Sequence, residues 1–205
     1  MNKVTIGNKK IGGDEPTYFI ADIAANHDGD LDRAYRLIEL AKQSGADAAK
    51  FQNFEAGKIV SKSGFEDLGS GTGHQEKWRK SVFDVYKAAS LPKSWTEKLK
   101  NKCDEIGIEY FTSPYDLESV DHVDNYVNTY KIGSGDVTWH EVISKICSKG
   151  KPIFIATGAC NLEDVEAAVH LIKKWGNPLI LMQCNTNYTG STTNLKYINL
   201  RVLNS

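Results

Sequence analysis

Six alternations of an apolar run with an amphipathic segment constrain the fold of this chain more than any other feature. The apolar runs are nearly continuous, as in parallel strands that are covered on both faces. The segments between them repeat apolar residues at helical spacing, with capping residues such as Asp30 and Asn161 at their starts and Gly107 and Gly176 at their ends. This alternation predicts an α/β fold with right-handed crossovers. The predicted strands are 18–25, 46–52, 108–113, 129–134, 152–158 and 179–184.

Polar side chains at the ends of the predicted strands favour a TIM (β/α)8 barrel over an open, doubly wound sheet. The carboxyl ends of barrel strands surround one mouth, whereas an open sheet collects its chemistry at one switch point. No Gly-x-Gly-x-x-Gly motif follows the first predicted strand, which argues against a dinucleotide fold. The polar residues are Asp22, Asn26, His27, Lys50, Gln52, Thr112, Ser113, Lys131, Ser134, Thr157, Asn185, Thr186 and Tyr188.

The length of the chain does not fit a complete barrel. Its 205 residues hold six βα units, whereas a barrel has eight and usually needs about 250 residues. We therefore expect a barrel truncated after about six units, with 1–16 as a lead-in and 17–205 as the incomplete barrel domain. The long connection 53–91 leaves the predicted mouth, and we expect it to cover the site and to contain a helix over 75–89.

Two lysines each end a short apolar run within a predicted buried strand, Lys50 in AAKFQ and Lys131 in YKIGS. A lysine in such a strand has to pair with an anion or to point into polar surroundings. One such lysine is most simply a structural ion-pair partner, but two on separate strands predict an anion-binding site. The segment 133–136 after Lys131 is suited to present backbone N–H groups to the same anion.

Charge and composition exclude several classes of partner. The 25 basic residues are interspersed with 26 acidic ones and the net charge is −1, so no nucleic-acid surface is predicted. No run has transmembrane length and no signal peptide is evident, which predicts a cytoplasmic protein that does not contact a membrane. The four cysteines lack C-x-x-C spacing, so we expect free thiols and neither a disulfide framework nor a zinc site.

Four short motifs follow one another along the chain: FIADIAANH at 19–27, GADAAKFQ at 45–52, KIGSGD at 131–136 and NLR at 199–201. Together they resemble the sialic acid synthase family, which makes nonulosonic acids such as N-acetylneuraminate. The resemblance implies a transferase of carbohydrate biosynthesis that condenses phosphoenolpyruvate with N-acetylmannosamine or a related N-acetylated amino sugar and releases phosphate. It also implies a homodimer and a divalent metal ion, Mn²⁺ or Mg²⁺, as Lewis acid.

The resemblance assigns the phosphoenolpyruvate site to residues of this chain. Lys50 and Lys131 match lysines that hold the phosphate and the carboxylate. Ser134 and a hydroxyl from either Thr112 or Ser113 are further donors. With Asp22, the two lysines are the expected catalytic residues.

The remaining expected contacts are with substrate. Asp136, Thr186 and Tyr188 match positions near the acceptor sugar. For His27 two roles stay open, because a histidine after a strand contacts either the substrate or the backbone of its own turn. Asn26, Gln52 and Thr157 complete the expected substrate-binding residues.

Three departures from the family pattern leave the identity of the sugar open. Asp22 stands where the family usually has glutamate, Ala156 replaces a common serine, and 185–189 lacks the usual proline. A legionaminic or pseudaminic type of product is therefore an alternative to N-acetylneuraminate.

The resemblance places two histidine metal ligands and a small C-terminal antifreeze-like domain after Ser205, so no metal ligand is expected within this chain. Two other readings remain open. One is a Schiff-base aldolase in which Lys50 or Lys131 is the nucleophile. The other is a catalytically inactive fragment, and we expect no synthase activity from the 205 residues alone.

Overall fold

The computed structural model describes residues 3–68, 78–184 and 186. They form an α/β fold in which six strands pair in parallel and two pair as an antiparallel hairpin. In chain order the strands and α-helices are β1 (Val4–Ile6), β2 (Lys9–Ile11), β3 (Ile20–Ala24), α1 (Leu31–Gln43), β4 (Ala48–Asn53), α2 (Ala56–Ile59), α3 (Lys62–Leu68), α4 (Val82–Ala89), α5 (Thr96–Ile106), β5 (Glu109–Pro114), α6 (Leu117–Val123), β6 (Tyr130–Ile132), α7 (His140–Cys147), β7 (Ile153–Ala156), α8 (Leu162–Trp175) and β8 (Leu179–Met182).

The described residues fall into two compact units. One spans Gly13–Val127, and the other lies within Met1–Gly12 and Asn128–Ser205. Each unit is built on a parallel sheet of three strands, ordered β3-β4-β5 in the first and β6-β7-β8 in the second. The second unit also contains the hairpin β1-β2.

The first unit has a core between its sheet and helices α1, α5 and α6. Asp30 starts α1 because its side chain accepts hydrogen bonds from the N–H groups of Asp32 and Arg33. The buried residues of α1 then recur at helical spacing, and α1 contacts α5, β3 and β4. The buried side chains are Ala34, Ile38, Ala41, Ala49, Phe51, Leu99, Cys103, Tyr110, Val120 and Val123.

The second unit repeats this arrangement with α7 and α8. A capping box starts α8, in which Asn161 and Asp164 each bond the backbone N–H of the other. Gly176 ends the helix with φ of 79°, a left-handed conformation that glycine adopts without strain. The buried side chains are Tyr130, Ile132, Val142, Ile143, Ile146, Ile153, Phe154, Ile155, Ala168 and Ile172.

The structure confirms the α/β class and the six parallel strands, with small changes in their ends. The hairpin β1-β2 was not predicted and lies within the proposed lead-in 1–16. The predicted helix 75–89 is observed only as α4 at Val82–Ala89, while 75–77 lie outside the described residues. Truncation and closure of a barrel stay predictions.

Candidate functional site

Lys50 forms an ion pair across the first two parallel strands. Its register partner is Asp22 on β3, and the Lys50 Nζ lies 2.9 Å from Asp22 Oδ1. The Lys50 side chain is 6% exposed and that of Asp22 is 61% exposed. The Lys50 ammonium is therefore buried, whereas the carboxylate that pairs with it is exposed to solvent. Such a position is one into which an anion can be drawn.

The pairing of β4 with β5 separates the two hydroxyl candidates. Gln52 is the register partner of Ser113, and Lys50 is that of Phe111. Because side chains alternate along a strand, Ser113 lies on the face of the sheet that carries Lys50 and Gln52. The buried Ser113 hydroxyl has no hydrogen-bond partner among the described residues. We call this side of β3, β4 and β5 the Lys50 face.

Thr112 lies on the opposite face, which the helices cover. Its hydroxyl donates to Asn53 Oδ1 at 2.6 Å, and Asn53 Nδ2 donates to Thr96 Oγ1 of α5 at 3.3 Å. His122 of α6 contacts the same Thr96 hydroxyl through Nε2 at 3.0 Å. This buried network joins β4 and β5 to two helices and already uses the Thr112 hydroxyl. Ser113 therefore lies on the face that carries Lys50 and Thr112 does not, and the choice between the two hydroxyls as a substrate donor stays a prediction.

The turn after β3 is strained and carries Asn26. The register shifts between Asp22 and Ala24, and Ala24 and Asp28 have φ of 51° and 50°, which non-glycine residues rarely adopt. Arg33 of α1 holds this turn, because its Nε donates to the Asn26 carbonyl at 2.6 Å and its guanidinium lies 3.1 Å from the Asp28 carboxylate. The Asn26 side chain donates to the backbone of the same turn.

His27 contacts the backbone of its own turn, which is one of the two roles expected for it. It is buried, and its Nδ1 accepts a hydrogen bond from the Gly29 N–H at 3.1 Å. Its ring meets Trp95 edge to face with centroids 5.6 Å apart. Burial lowers the pKa of His27, although the charge of Asp28 acts in the opposite direction. A role for His27 in substrate binding stays a prediction.

Tyr115 is a residue that sequence reasoning missed on the Lys50 face. Gln52 Nε2 donates to the Tyr115 hydroxyl at 3.3 Å. The signal was present in the sequence, since Tyr115 follows Ser113 by two residues and alternation continues past the end of β5. The Lys50 face thus brings together Asp22, Lys50, Gln52, Ser113 and Tyr115.

In the second unit, Lys131 lies on β6 with Phe154 of β7 as its register partner. Its Nζ donates to the Ile132 carbonyl at 3.3 Å. The chain then forms a short 3-10 turn over Ser134–Asp136. Burial raises the pKa of Asp136 to about 6, and the nearby charge of Lys131 acts in the opposite direction. The Asp136 N–H is used within the turn, where it donates to the Gly133 carbonyl.

Thr157 is bound to the neighbouring strand. Both its N–H and its hydroxyl donate to the Met182 carbonyl, at 3.0 and 3.2 Å. The next residue, Gly158, has no room for a side chain, because an added Cβ would lie 2.5 Å from Cys184 Sγ and 2.8 Å from the Cys184 carbonyl. Thr186 is exposed, whereas Tyr188 lies outside the described residues.

Within residues 3–68, 78–184 and 186, no group of three or more His, Cys, Asp or Glu side chains is placed to hold a metal ion. In the same ranges no helix combines the length and the apolar character needed to cross a bilayer.

Comparison with known proteins decides the family. A family model described as the NeuB family matches residues 37–205. The chain belongs to the NeuB family. It is 32% identical over 196 residues to the N,N'-diacetyllegionaminic acid synthase of Legionella pneumophila, covering 90% of this chain and 54% of the relative. It is 28% identical over 194 residues to the human N-acetylneuraminate-9-phosphate synthase, covering 94% and 52%.

Solved structures agree with this assignment. The N-acetylneuraminic acid synthetase from Leptospira borgpetersenii, solved in complex with citrate, matches with a TM-score of 0.80 and 27% identity, covering 94% of this chain and 62% of that one. A 3-deoxy-D-arabino-heptulosonate 7-phosphate synthase from Thermotoga maritima matches with a TM-score of 0.62 and 15% identity, which shows a shared fold alone. The chain spans about half the length of the curated NeuB-family relatives that it matches.

Proposed function

We propose that the protein is a nonulosonic acid synthase that condenses phosphoenolpyruvate with an N-acetylated amino sugar and releases phosphate. The observation that carries this proposal is the Lys50 face, which holds the buried Lys50 side chain and, paired in register with Gln52, a buried Ser113 hydroxyl that has no hydrogen-bond partner among the described residues. The Ser113 hydroxyl is costly to bury without a partner, and a lysine ammonium has three donors, of which Asp22 accepts from one, so a phosphate or carboxylate would accept hydrogen bonds from both side chains. Membership of the NeuB family supports phosphoenolpyruvate as that anion.

In the proposed reaction, C3 of phosphoenolpyruvate attacks the aldehyde carbon of the open-chain sugar, water adds at C2, and the phosphate leaves. Lys50 and Ser113 would bind the phosphoenolpyruvate and orient it, with Lys131 and Ser134 as further anion donors. Asp22 would hold the Lys50 ammonium in place. A divalent metal ion, Mn²⁺ or Mg²⁺, belongs to the proposal through the resemblance, and no group of three or more His, Cys, Asp or Glu side chains among the described residues is placed to hold it.

The proposal also covers the acceptor sugar, the fold of the domain, the oligomeric state and the cellular location. The relatives are named as synthases of N,N'-diacetyllegionaminic acid and of N-acetylneuraminate 9-phosphate. These names support an N-acetylated amino sugar as the acceptor and do not select one. The citrate in the Leptospira structure supports an anion-binding site in this family. We further propose that the six βα units form part of a TIM barrel in a cytoplasmic homodimer, with the connection 53–91 covering its mouth.

The test uses the whole gene product that carries this chain. Phosphate release is followed with phosphoenolpyruvate and N-acetylmannosamine, then with diacetamido sugars, in the presence of Mn²⁺. Lys50→Ala and Lys131→Ala should each raise the Michaelis constant for phosphoenolpyruvate about 30-fold, since one charge-assisted contact is worth about 2 kcal/mol. The constant for the sugar should change far less. Lys98→Ala, at an exposed position on α5, is the matched control.

Two results would contradict the proposal. Absence of phosphate release with every sugar would remove the synthase assignment. Covalent trapping of pyruvate on Lys50 or Lys131 by borohydride would instead indicate a Schiff-base aldolase.

A further inference from the structure

We propose that Tyr115 is a positioning residue that orients the amide of Gln52 toward the acceptor sugar, an inference that rests on the proposed synthase function. Tyr115 lies outside every motif that carries the family resemblance. Its role follows from its place on the Lys50 face and from its contacts.

The backbone places the Tyr115 side chain beside Gln52. Gln52 pairs with Ser113 in the parallel register of β4 and β5. The pairing extends past the strand end, because the Tyr115 N–H donates to the Asn53 carbonyl at 3.0 Å. Alternation of side chains then sets Tyr115 on the same face as Ser113 and Lys50.

The hydrogen bond between the two side chains holds the amide of Gln52, and in the structure the amide nitrogen is the end that faces the phenol hydroxyl. Gln52 Nε2 donates to the Tyr115 hydroxyl at 3.3 Å. An amide held by its nitrogen presents its carbonyl oxygen in the other direction, as an acceptor. Without the phenol hydroxyl, the amide of Gln52 would be free to rotate by half a turn.

The ring of Tyr115 is held independently of its hydroxyl. It meets the ring of Phe54 nearly at a right angle, at 81°, with centroids 6.1 Å apart. Phe54 is buried and meets Tyr86 of α4 in a similar way at 5.9 Å. Removal of the hydroxyl alone should therefore leave the ring in place, which makes Tyr115→Phe a clean test.

The chemistry of the two substrates predicts which one responds. Ionised phosphoenolpyruvate has no hydroxyl or N–H group and offers only acceptors, so it cannot pair with an amide carbonyl. An N-acetylated amino sugar has several hydroxyl groups and an amide N–H, which are donors. An oriented Gln52 carbonyl is thus selective for the sugar.

The experiment compares Tyr115→Phe with Tyr35→Phe, which removes the same hydroxyl from a half-buried position on α1. In the whole gene product, Tyr115→Phe should raise the Michaelis constant for the sugar about 3- to 10-fold, the loss expected for one neutral hydrogen bond. The constant for phosphoenolpyruvate should stay within about twofold. In ¹⁵N spectra of the protein without substrate, the side-chain amide signals of Gln52, assigned by their loss in Gln52→Glu, should shift in Tyr115→Phe and not in Tyr35→Phe.

The outcomes separate this inference from the proposed function. If the unaltered protein turns over but Tyr115→Phe changes neither constant, or both equally, the positioning role is wrong while the synthase assignment stands. If the amide signals of Gln52 do not shift in Tyr115→Phe, the hydrogen bond between Gln52 and Tyr115 is wrong, whatever effect the substitution has on activity. If the unaltered protein makes no product with any sugar, the proposed function fails and the sugar-directed role fails with it, even where the amide signals shift.

Discussion

At the scale of single residues, the neighbouring hydroxyls of Thr112 and Ser113 have opposite surroundings. Thr112 donates to Asn53 within a buried network, whereas the Ser113 hydroxyl has no partner among the described residues. The same type of polar group thus serves stability at one position and is available to a ligand at the next. The difference arises because a strand turns successive side chains to opposite faces.

Substitution of each residue should separate the two roles. Thr112→Val keeps the shape but leaves the Asn53 oxygen without its donor, so it should lower the free energy of unfolding by about 1 to 3 kcal/mol. Ser113→Ala should cause no such loss, but it should weaken phosphoenolpyruvate binding by about tenfold or more. Urea unfolding and ligand titration of both variants provide the measurements. Equal effects of the two substitutions on binding would contradict the assignment of faces.

Asp136 should make stability depend on pH in the acidic range. Its pKa is raised to about 6 by burial, whereas an aspartate in the unfolded chain has a pKa of about 3.9. Between these values the folded state binds more protons than the unfolded state, so the contribution of Asp136 to stability is full below about pH 4 and is lost as the pH rises through about 6. Asp136→Asn should remove this part of the slope.

The measurement is urea unfolding of the protein and of Asp136→Asn from about pH 4 to about pH 7. The stability of the variant relative to the unaltered protein should increase over this range. Asp67→Asn, at an exposed position on α3, serves as the control and should leave the slope unchanged. Parallel curves for the protein and Asp136→Asn would show that folding does not raise the pKa of Asp136.

At the scale of elements, helix ends are set by local chemistry. Asp30, Asp116 and Asn161 each accept backbone N–H groups of the helix that they start. Glycines with positive φ follow the ends of α5 and α8. These bonds form within one turn of chain and need no distant partner, which explains why they were predictable.

Loss of one cap should have a limited and measurable cost. Asn161→Ala removes one half of the capping box of α8 and should lower the free energy of unfolding by about 1 kcal/mol. Glu166→Ala, at an exposed position in the same helix, should change it by less than about 0.5 kcal/mol. Urea unfolding measures both. A cost for Glu166→Ala as large as that for Asn161→Ala would mean that helix propensity, and not the cap, determines the loss.

At the scale of the whole molecule, the feature that bears on association between copies is the edge of a sheet. Among the described residues β8 is an edge strand of its sheet, and its four residues are all apolar and half-exposed. An apolar edge of this kind is a template for pairing with another strand. Interspersed charges and a net charge of −1 provide little repulsion between copies.

The 205-residue chain should therefore associate as its concentration rises. Sedimentation velocity should show a growing mass, and Leu179→Lys at the start of β8 should suppress this growth by placing a charge on the edge. Leu162→Lys, at an exposed position in the first turn of α8, is the matched control and should not suppress it. A monomer at all concentrations would show that the β8 edge is not a pairing surface.

Much of this protein is determined by its sequence alone. The order of strands and helices, the caps and the α/β class follow from patterns within a few neighbouring residues. The family also follows, because four motifs in order are specific where each one alone is weak. The burial of Lys50 within a strand was predictable for the same reason, since one charge in an apolar run needs only its neighbours to be recognised.

The tertiary structure decided what depends on register and on distant contacts. It places Thr112 and Ser113 on opposite faces, bonds His27 to its turn, pairs Asp22 with Lys50 and brings Tyr115 into contact with Gln52. Local patterns do not relate these residues or faces. A shift of one residue in pairing would exchange the two faces of a strand and reverse these assignments. Sequence patterns determine which residues form a strand, whereas packing and pairing between strands determine the face on which each side chain lies.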